Sequence, residues 1–512
     1  MGFTRGRFLG ALGVTGAYFA LASAGGCGLL EGARRLESSR VPRTDPPSSP
    51  KVWPLTEDPP VLPKGVWAFR SRPDLAPAAA EVTTQAREGT GSDYVFVALK
   101  EGVGVHGPMI LDDRGQLVWF EKYITARDFK AQYFRGRPVL TWWEGSVVTG
   151  HGVGEYVIFD DSYKQIARVR AGNGFDGDLH EFVITPQDTA LLTAYEAATA
   201  NLSAAGGSGD GFAWDGIAQE VDIETGEVLF EWHSLDHVGV GESYRGPGED
   251  PEAPVDYFHI NSIEVEPDNN FLIDAKGTYA VYKIERRTGE VLWRLGGKKS
   301  DFEMGPGTRT VSQHDARRQE DGTITIFDNG APPEVHDQSR GIVVELDEDA
   351  MKATLVRSYT HPEKPLSTSQ GNMQVLPGGN VFIGWGTEPY NSEYDKDGEL
   401  LFDVQFSGET QSYRAFRQEW SGRPAEDPAV VAEKAKGDKV NIYASWNGAT
   451  EATTWRVLAG PDPEGLEPVG SVPWEGFETA VAIRTDEPYV AVRAEDDSGR
   501  VLGTSEAVKP SA

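Results

Sequence analysis

A short turn feeding an alternating strand recurs along residues 65–420, and this repetition limits the folds open to the chain more than any other feature. Four copies are clear: Asp113-Arg114-Gly115-Gln116-Leu117-Val118-Trp119, and the segments running from Glu224 to Phe230, Arg287 to Trp293 and Lys396 to Phe402. Degenerate copies begin at Asp161 and Asp349 and bring the number to six. A second half-repeat, a turn before an apolar strand, starts at Gln187, Asp268, Asp321 and Gly378, with looser copies at Asp93 and Arg137. Gly or Asp-Gly turns join short alternating strands into small antiparallel sheets. One such sheet cannot cover both its faces. Stacked around an axis, each covers its neighbour and leaves only short edges. A six-bladed β-propeller is therefore predicted for 65–420. Tandem β-sandwiches are the alternative, and the two-part repeat argues against them.

The flanking segments read differently. Residues 1–27 carry Arg5 and Arg7, then an apolar stretch of small residues ending in Ser23-Ala24-Gly25-Gly26-Cys27. This is expected to be a signal peptide. It resembles a bacterial lipoprotein signal, which implies lipidation at Cys27. Ala24 stands where such signals usually carry Leu, and Gly6 interrupts a twin-arginine-like start. An uncleaved anchor helix is the alternative. The expected location is the outer face of the cell membrane, as a lipoprotein, or a secreted or periplasmic state. Residues 28–64 hold Pro46-Pro47-Ser48-Ser49-Pro50 and Pro59-Pro60 and are predicted to be a tether. Residues 421–438 read as a linker with a short charged helix. Alternating strands in 439–512 suit a small immunoglobulin- or fibronectin-like β-sandwich.

Charge excludes one function class. The formal net charge is −31, which disfavours phosphate backbones and hence nucleic-acid binding. Cys27 is the sole cysteine, so no intrachain disulfide can form.

Propellers hold ligands over the central channel, near the innermost strand of each blade. His180 stands ten residues before Ala190, His259 twelve before Phe271, His314 ten before Ile324, and Asn372 nine before Val381. Three of only nine histidines thus fall at one repeated position. Each alone could be a structural histidine; together they point to a channel site. Three converging histidines also suit Zn. Glu181 and Asp315 could then serve as their carboxylate partners, but neighbours on a strand point apart. No metal and no cofactor is the expectation carried forward. Asn261, Asn372 and Trp385 are candidate substrate contacts, and Trp142 a further candidate wall for an aromatic ring. His106, His233, His237, His336 and His361 read as loop residues, and His151 as intermediate.

Several longer motifs resemble the arylsulfotransferase family: Asp256-Tyr257-Phe258-His259-Ile260-Asn261-Ser262, the stretch from Gly289 to Gly297, Gln313-His314-Asp315-Ala316, and Phe327-Asp328-Asn329-Gly330 followed by Ser339-Arg340-Gly341. The resemblance implies a propeller that moves a sulfuryl group between phenols without a nucleotide donor, through a histidine intermediate. It implies that His259 and His314 are channel histidines and that Arg340 binds sulfuryl oxygens, with His180 assisting. Which histidine is the nucleophile stays open. The repeat after Arg340 offers Gln370-Gly371-Asn372 rather than histidine. The partners so implied are a small phenolic sulfate donor and a phenol acceptor, with the membrane reached through the lipid anchor. Two other readings stand beside this one: a non-catalytic ligand-binding or adhesive surface propeller, and a metal-dependent hydrolase.

Overall fold

The computed structural model describes residues 52–55, 61–62, 65–87, 89–91, 93–123, 125–250 and 252–512. The signal peptide, Cys27 and most of the tether lie outside the described residues. The protein is all-β, built from antiparallel sheets, with helix limited among the described residues to single turns such as Ser234–His237.

Sheet I joins Tyr94–Lys100, Gly107–Leu111 and Leu117–Phe120 to a strand from far along the chain, Gln411–Gln418. Sheet II is Arg127–Phe134, Arg137–Val148, His151–Phe159 and Gln165–Val169; sheet III is Gly177–Ile184, Thr189–Ala200, Gly211–Asp222 and Val228–His233. These two are linked by one pairing, Gly154 with Gly177. Sheet IV comprises Ile260–Val265, Phe271–Ala275, Ala280–Ile284 and Val291–Gly296. Sheet V comprises His314–Arg318, Ile324–Asp328, Arg340–Asp347 and Lys352–Tyr359, with Glu303–Met304 at its outer edge. Sheet VI comprises Asn372–Val375, Val381–Gly384, Tyr390–Tyr394 and Leu400–Phe406, with Ala80–Thr84 added outside. Each sheet packs against the next, and sheet VI packs against sheet I.

The repeat explains these sheets. Each clear turn–strand copy bends between the last two strands of a sheet, with Gly115, Gly226, Gly289 and Gly398 in the left-handed region. In the degenerate copies Tyr163 and Met351 hold the same conformation, at φ 62 and 52. A side chain there is strained by about 1–2 kcal/mol, so surrounding contacts enforce the turn. The aromatic ends of the copies fill the spaces between sheets: Trp119 meets Phe129 and Trp142, and Phe230 meets Phe271. The Asp93 copy lacks a preceding inner strand because Gln411–Gln418 supplies it.

Two further four-stranded sheets share one core around Ile442, Trp455, Val481 and Val492. Two expectations are corrected here. Residues 421–438 contain a strand, Ala429–Lys434, and not a charged helix; it pairs with Lys439–Ser445. The expected tether, 28–64, includes Val52–Pro54, which pairs with Glu478–Arg484. Proline within a strand belongs at an edge, and Pro54 sits on that sheet's edge strand.

Candidate active site

The innermost strand of most sheets is broken by a bulge at about the same height. Register slips occur between Arg127 and Lys130, Gly177 and Phe182, Ile260 and Ser262, His314 and Arg317, and Ser412 and Ala415. Asp128, His259, Asp315 and, ahead of sheet VI, Gln370 all have positive φ. A bulge re-aims a side chain that regular alternation would bury in the sheet face. This is how His180, His259 and His314 come to line one cavity of about 400 Å³, together with Tyr413, Gln370, Lys276, Arg245, Asp256, Lys100 and Arg127.

Each imidazole is fixed through Nδ1. His180 Nδ1 bonds Asp178 Oδ2 at 2.5 Å and His259 Nδ1 bonds Asp256 Oδ2 at 2.6 Å. An ionised carboxylate only accepts, so both histidines carry a proton on Nδ1 and turn Nε2 away from it. The two rings meet edge to face, 4.8 Å between centroids. His314 differs. Its Nδ1 bonds Asn329 Oδ1 at 2.7 Å, and its Nε2 accepts the Gln370 N–H at 3.1 Å. Both its nitrogens are engaged.

Electrostatics separate the groups further. Burial, outweighing the neighbouring Asp256, lowers the His259 pKa to about 3, so the ring is neutral at physiological pH. Burial raises the Asp178 carboxyl, but the charge and hydrogen bond of His180 outweigh it and hold the group at about 2. Asp256 is likewise held well below the usual carboxylate range, with His259 overcoming its burial. His314 is pushed far down by burial and then by Lys276. Lys276 follows the strand Phe271–Ala275 and donates its N–H to the His259 carbonyl. Its own ammonium is lowered to about 7 by burial and by Arg245. Arg245 donates to Asp256 Oδ2 at 2.8 Å.

The other sequence candidates lie elsewhere. Arg340 does not line the cavity: its Nε donates to Asp328 Oδ2 at 2.9 Å and its NH2 group to the Arg309 carbonyl. Asn372 clips sheet VI to sheet I, exchanging two hydrogen bonds with Ala415, and Gln370 takes the cavity position instead. Asn261 clips sheet IV to sheet V through the Gln313 carbonyl and the Asp315 N–H. Trp385 is fully buried and donates to Ser392, which donates to Asp403, which His361 also reaches. His361 lies in the connection after Lys352–Tyr359, as expected, but is buried there. Trp142 bonds Glu144 and packs on Phe159. Glu181 and Asp315 turn away from their histidine neighbours into a buried ion network with Lys130, Arg317 and Arg414.

Sequence reading missed Asp178, Asp256, Arg245, Lys276 and Tyr413. The two aspartates carried a signal, since each lies two or three residues before its histidine. The cations carried none, because each comes from a connection between repeated positions.

His151 stands behind the site, 5.4 Å from the His259 ring, with neither ring nitrogen hydrogen-bonded. His151, Asp256 and His259 hold ligand atoms within 4.8 Å of one another, a spacing a divalent cation can bridge. The Arg245 guanidinium on the same carboxylate and Lys276 beside His259 set the local field against a cation and in favour of an anion.

A family model described as arylsulfotransferase (ASST) matches residues 130–407. The chain belongs to the arylsulfotransferase family. The matched span of this arylsulfotransferase-family chain includes His180, His259, His314, Arg245, Asp256 and Lys276. No curated protein matches it. Among solved structures it is similar to a protein of unknown function from Bacteroides caccae: 13% identity, 64% of this chain and 100% of that one, TM-score 0.37. It is also similar to hydrazine synthase from Kuenenia stuttgartiensis, at 14% identity, 57% of this chain and 70% of that one, TM-score 0.32. A third likeness is to virginiamycin B lyase from Staphylococcus aureus, at 9% identity, 79% and 100% coverage, TM-score 0.29.

Proposed function

We propose that this protein is a nucleotide-independent aryl sulfotransferase, a ping-pong enzyme that moves a sulfuryl group from an aryl sulfate to a phenol through His259. The observation that carries this reading is the pairing of two Asp-oriented histidines with Arg245 and Lys276 around one cavity. We further propose that the six sheets of 65–420 are the blades of one propeller, that 439–512 with its added strands is an immunoglobulin- or fibronectin-like domain, and that lipidation at Cys27 holds the mature chain at the outer face of the cell membrane.

Sulfuryl transfer, like phosphoryl transfer, spreads negative charge over three oxygens, so positioning and cationic donors carry much of the catalysis. Arg245 and Lys276 supply donors on the His259 side of the cavity. In the first half-reaction the Nε2 lone pair of His259 forms the N–S bond while the S–O bond to the donor breaks. The electron pair leaves on the phenolate oxygen. A phenol has a pKa of about 10 and leaves poorly without a proton; His180, protonated on Nε2 and steadied by Asp178, provides it. Asp256 keeps the proton on His259 Nδ1 and balances the positive charge that the ring gains. In the second half-reaction His180 takes the proton of the acceptor phenol, whose oxygen attacks sulfur. The N–S bond breaks and its electron pair returns to Nε2. His314 holds the Gln370 backbone at the cavity wall and does not react.

The test is release of nitrophenolate from 4-nitrophenyl sulfate, dependent on added phenol, with mass spectrometry of the donor-treated protein. A sulfuryl adduct on His259 that added phenol discharges supports the reading. Turnover that survives His259→Ala, or an adduct on another residue, overturns the assignment. Binding of aryl sulfates with no transfer under any acceptor would favour the non-catalytic ligand-binding propeller.

A further inference from the structure

The cavity wall formed by sheets I and II carries a feature that sulfuryl transfer at His259 does not use. Lys100 ends the strand Tyr94–Lys100 of sheet I, and Arg127 begins the strand Arg127–Phe134 of sheet II. Both line the cavity, and both are largely withdrawn from solvent. Burial lowers Lys100 to about 8, with Arg127 adding to the shift, and burial lowers Arg127 to about 10.

Glu101 lines the same cavity and attracts both cations without contacting either. Among the described residues neither cation forms an ion pair, and the hydrogen bond given by the Arg127 guanidinium goes to its own neighbour, the Ala126 carbonyl, at 2.8 Å. Lys276, in the same cavity, is likewise without an ion pair among the described residues, whereas other enclosed cations are paired. Lys130 pairs with Asp128 and Glu181, Arg414 with Asp128, Glu181 and Asp315, and Arg245 with Asp256. A chain with 79 acidic and 48 basic residues has carboxylates to spare. Leaving two cations side by side, half-desolvated and unpaired, is costly unless a ligand supplies the charge.

Resting on the sulfotransferase reading, we infer that Lys100 and Arg127 form a second anion subsite, which receives a carboxylate carried by the phenol. The reacting oxygen faces His259 and His180, and the carboxylate faces the Lys100–Arg127 wall. The preferred substrates are thus hydroxyaryl carboxylates and their sulfates. The planar Arg127 fork suits a carboxylate, and the Lys100 ammonium adds a point charge. A cavity of about 400 Å³ is roomy enough for one substituted ring.

The test compares 4-hydroxyphenylacetate with phenol as acceptors of the sulfuryl group from 4-nitrophenyl sulfate, in the wild type and in a Lys100→Met/Arg127→Gln double variant. The readout is the ratio of kcat/KM for the two acceptors. The wild type is expected to favour the carboxylate by about tenfold or more, the scale of one charge-assisted hydrogen bond. The double variant should lose that preference, and the charge-conserving Lys100→Arg/Arg127→Lys variant should keep most of it. No preference in the wild type overturns the inference. So does an equal loss for both acceptors accompanied by a raised KM for the donor, because the pair would then hold the sulfuryl group itself. If no donor supports transfer, the sulfotransferase reading fails and the subsite is judged by calorimetric titration with 4-hydroxyphenylacetate. Binding to the wild type but not to the double variant keeps the subsite; equal binding, or none, ends it.

Discussion

Glu264→Gln should stabilise the protein above neutral pH and do nothing for it in acid. Neighbouring sheets are stitched together by glutamines on their inner strands. Gln132 accepts the Ile184 N–H at 2.8 Å and donates to the Phe182 carbonyl. Gln374 accepts from and donates to Arg417, and Gln418 does the same with Ala131. Glu264 stands at the hairpin position that Gln374 occupies in its sheet, and it accepts the Arg318 N–H at 2.8 Å. Only the protonated acid can also donate as the glutamines do. Burial, partly offset by Arg317, raises its pKa from 4.5 to about 7. The folded state therefore holds a proton that the unfolded chain has released, so stability falls as pH rises from about 4.5 to 7 and stays reduced above that. At about 1.4 kcal/mol per pKa unit the penalty at pH 8 reaches at most about 3.5 kcal/mol. Glutamine removes the titration and keeps the stitch, but gives up the attraction to Arg317. The expected gain is about 1–3 kcal/mol at pH 8, seen as a melting temperature higher by about 2–5 °C, and near zero at pH 4.5. Calorimetry of both proteins across pH 4.5–8 measures it. A variant no more stable than the wild type at pH 8, or equally stabilised at both ends, would refute the reasoning.

Asp256→Asn keeps the shape and an oxygen for His259 and Arg245, which both use the same one now, but it removes the carboxylate charge, so the bond to His259 is no longer charge-assisted. Losing one charge-assisted hydrogen bond of about 1.5–3 kcal/mol should lower kcat about 10- to 150-fold in the nitrophenolate assay; a change below threefold would be inconsistent with that role. Lys276, at about 7, is a cation below that pH and neutral above it, so turnover should fall as pH rises through about 7. Lys276→Arg should carry that alkaline limb up by at least about two units, since arginine stays charged, and an unmoved limb would remove Lys276 from sulfuryl binding. With His259 near 3, no acid limb from the nucleophile is expected between pH 4 and 7. Arg340→Ala leaves the buried Asp328 without its guanidinium and should cost on the order of 3 kcal/mol of stability, with kcat/KM within about threefold of wild type; a large kinetic loss in a normally stable variant would restore Arg340 to the site.

Much of the sheet plan was legible because turns and alternation repeat. Each copy from Asp113-Arg114-Gly115 onward needs a left-handed third residue, and even Tyr163 and Met351 obey it. The strand Ala429–Lys434 was not legible, since its charged ends and short length resemble a helix until Lys439–Ser445 is there to pair with it. The three histidines that line the cavity share a position in the repeat. Asn261 and Asn372 sit on inner strands too, but there the fold uses polar side chains to bind neighbouring strands. Arg340, which came from the motif resemblance and not from the repeat, binds a carboxylate off the cavity. Periodicity identifies a position near the axis; it does not say whether the side chain faces a ligand or another sheet.

That ambiguity is resolved by the bulges. On a regular inner strand, neighbouring residues alternate, so His180 and Glu181 must part company, as must His314 and Asp315. The slipped register sends one of each pair into the cavity and the other into the ion network beneath it. That network is close to neutral, with Asp128, Glu181 and Asp315 facing Lys130, Arg317 and Arg414. Its neutrality matters to the chemistry above. A net negative cluster there would attract the cavity cations downward and raise the histidine pKa values; a net positive one would compete for the substrate anion. Arg414 comes from Gln411–Gln418, the strand that completes sheet I, and its neighbour Tyr413 lines the cavity. Closing the circle of sheets and neutralising the floor of the site are therefore one event, so a chain whose last inner strand is not docked has neither a formed cavity nor a balanced charge beneath it.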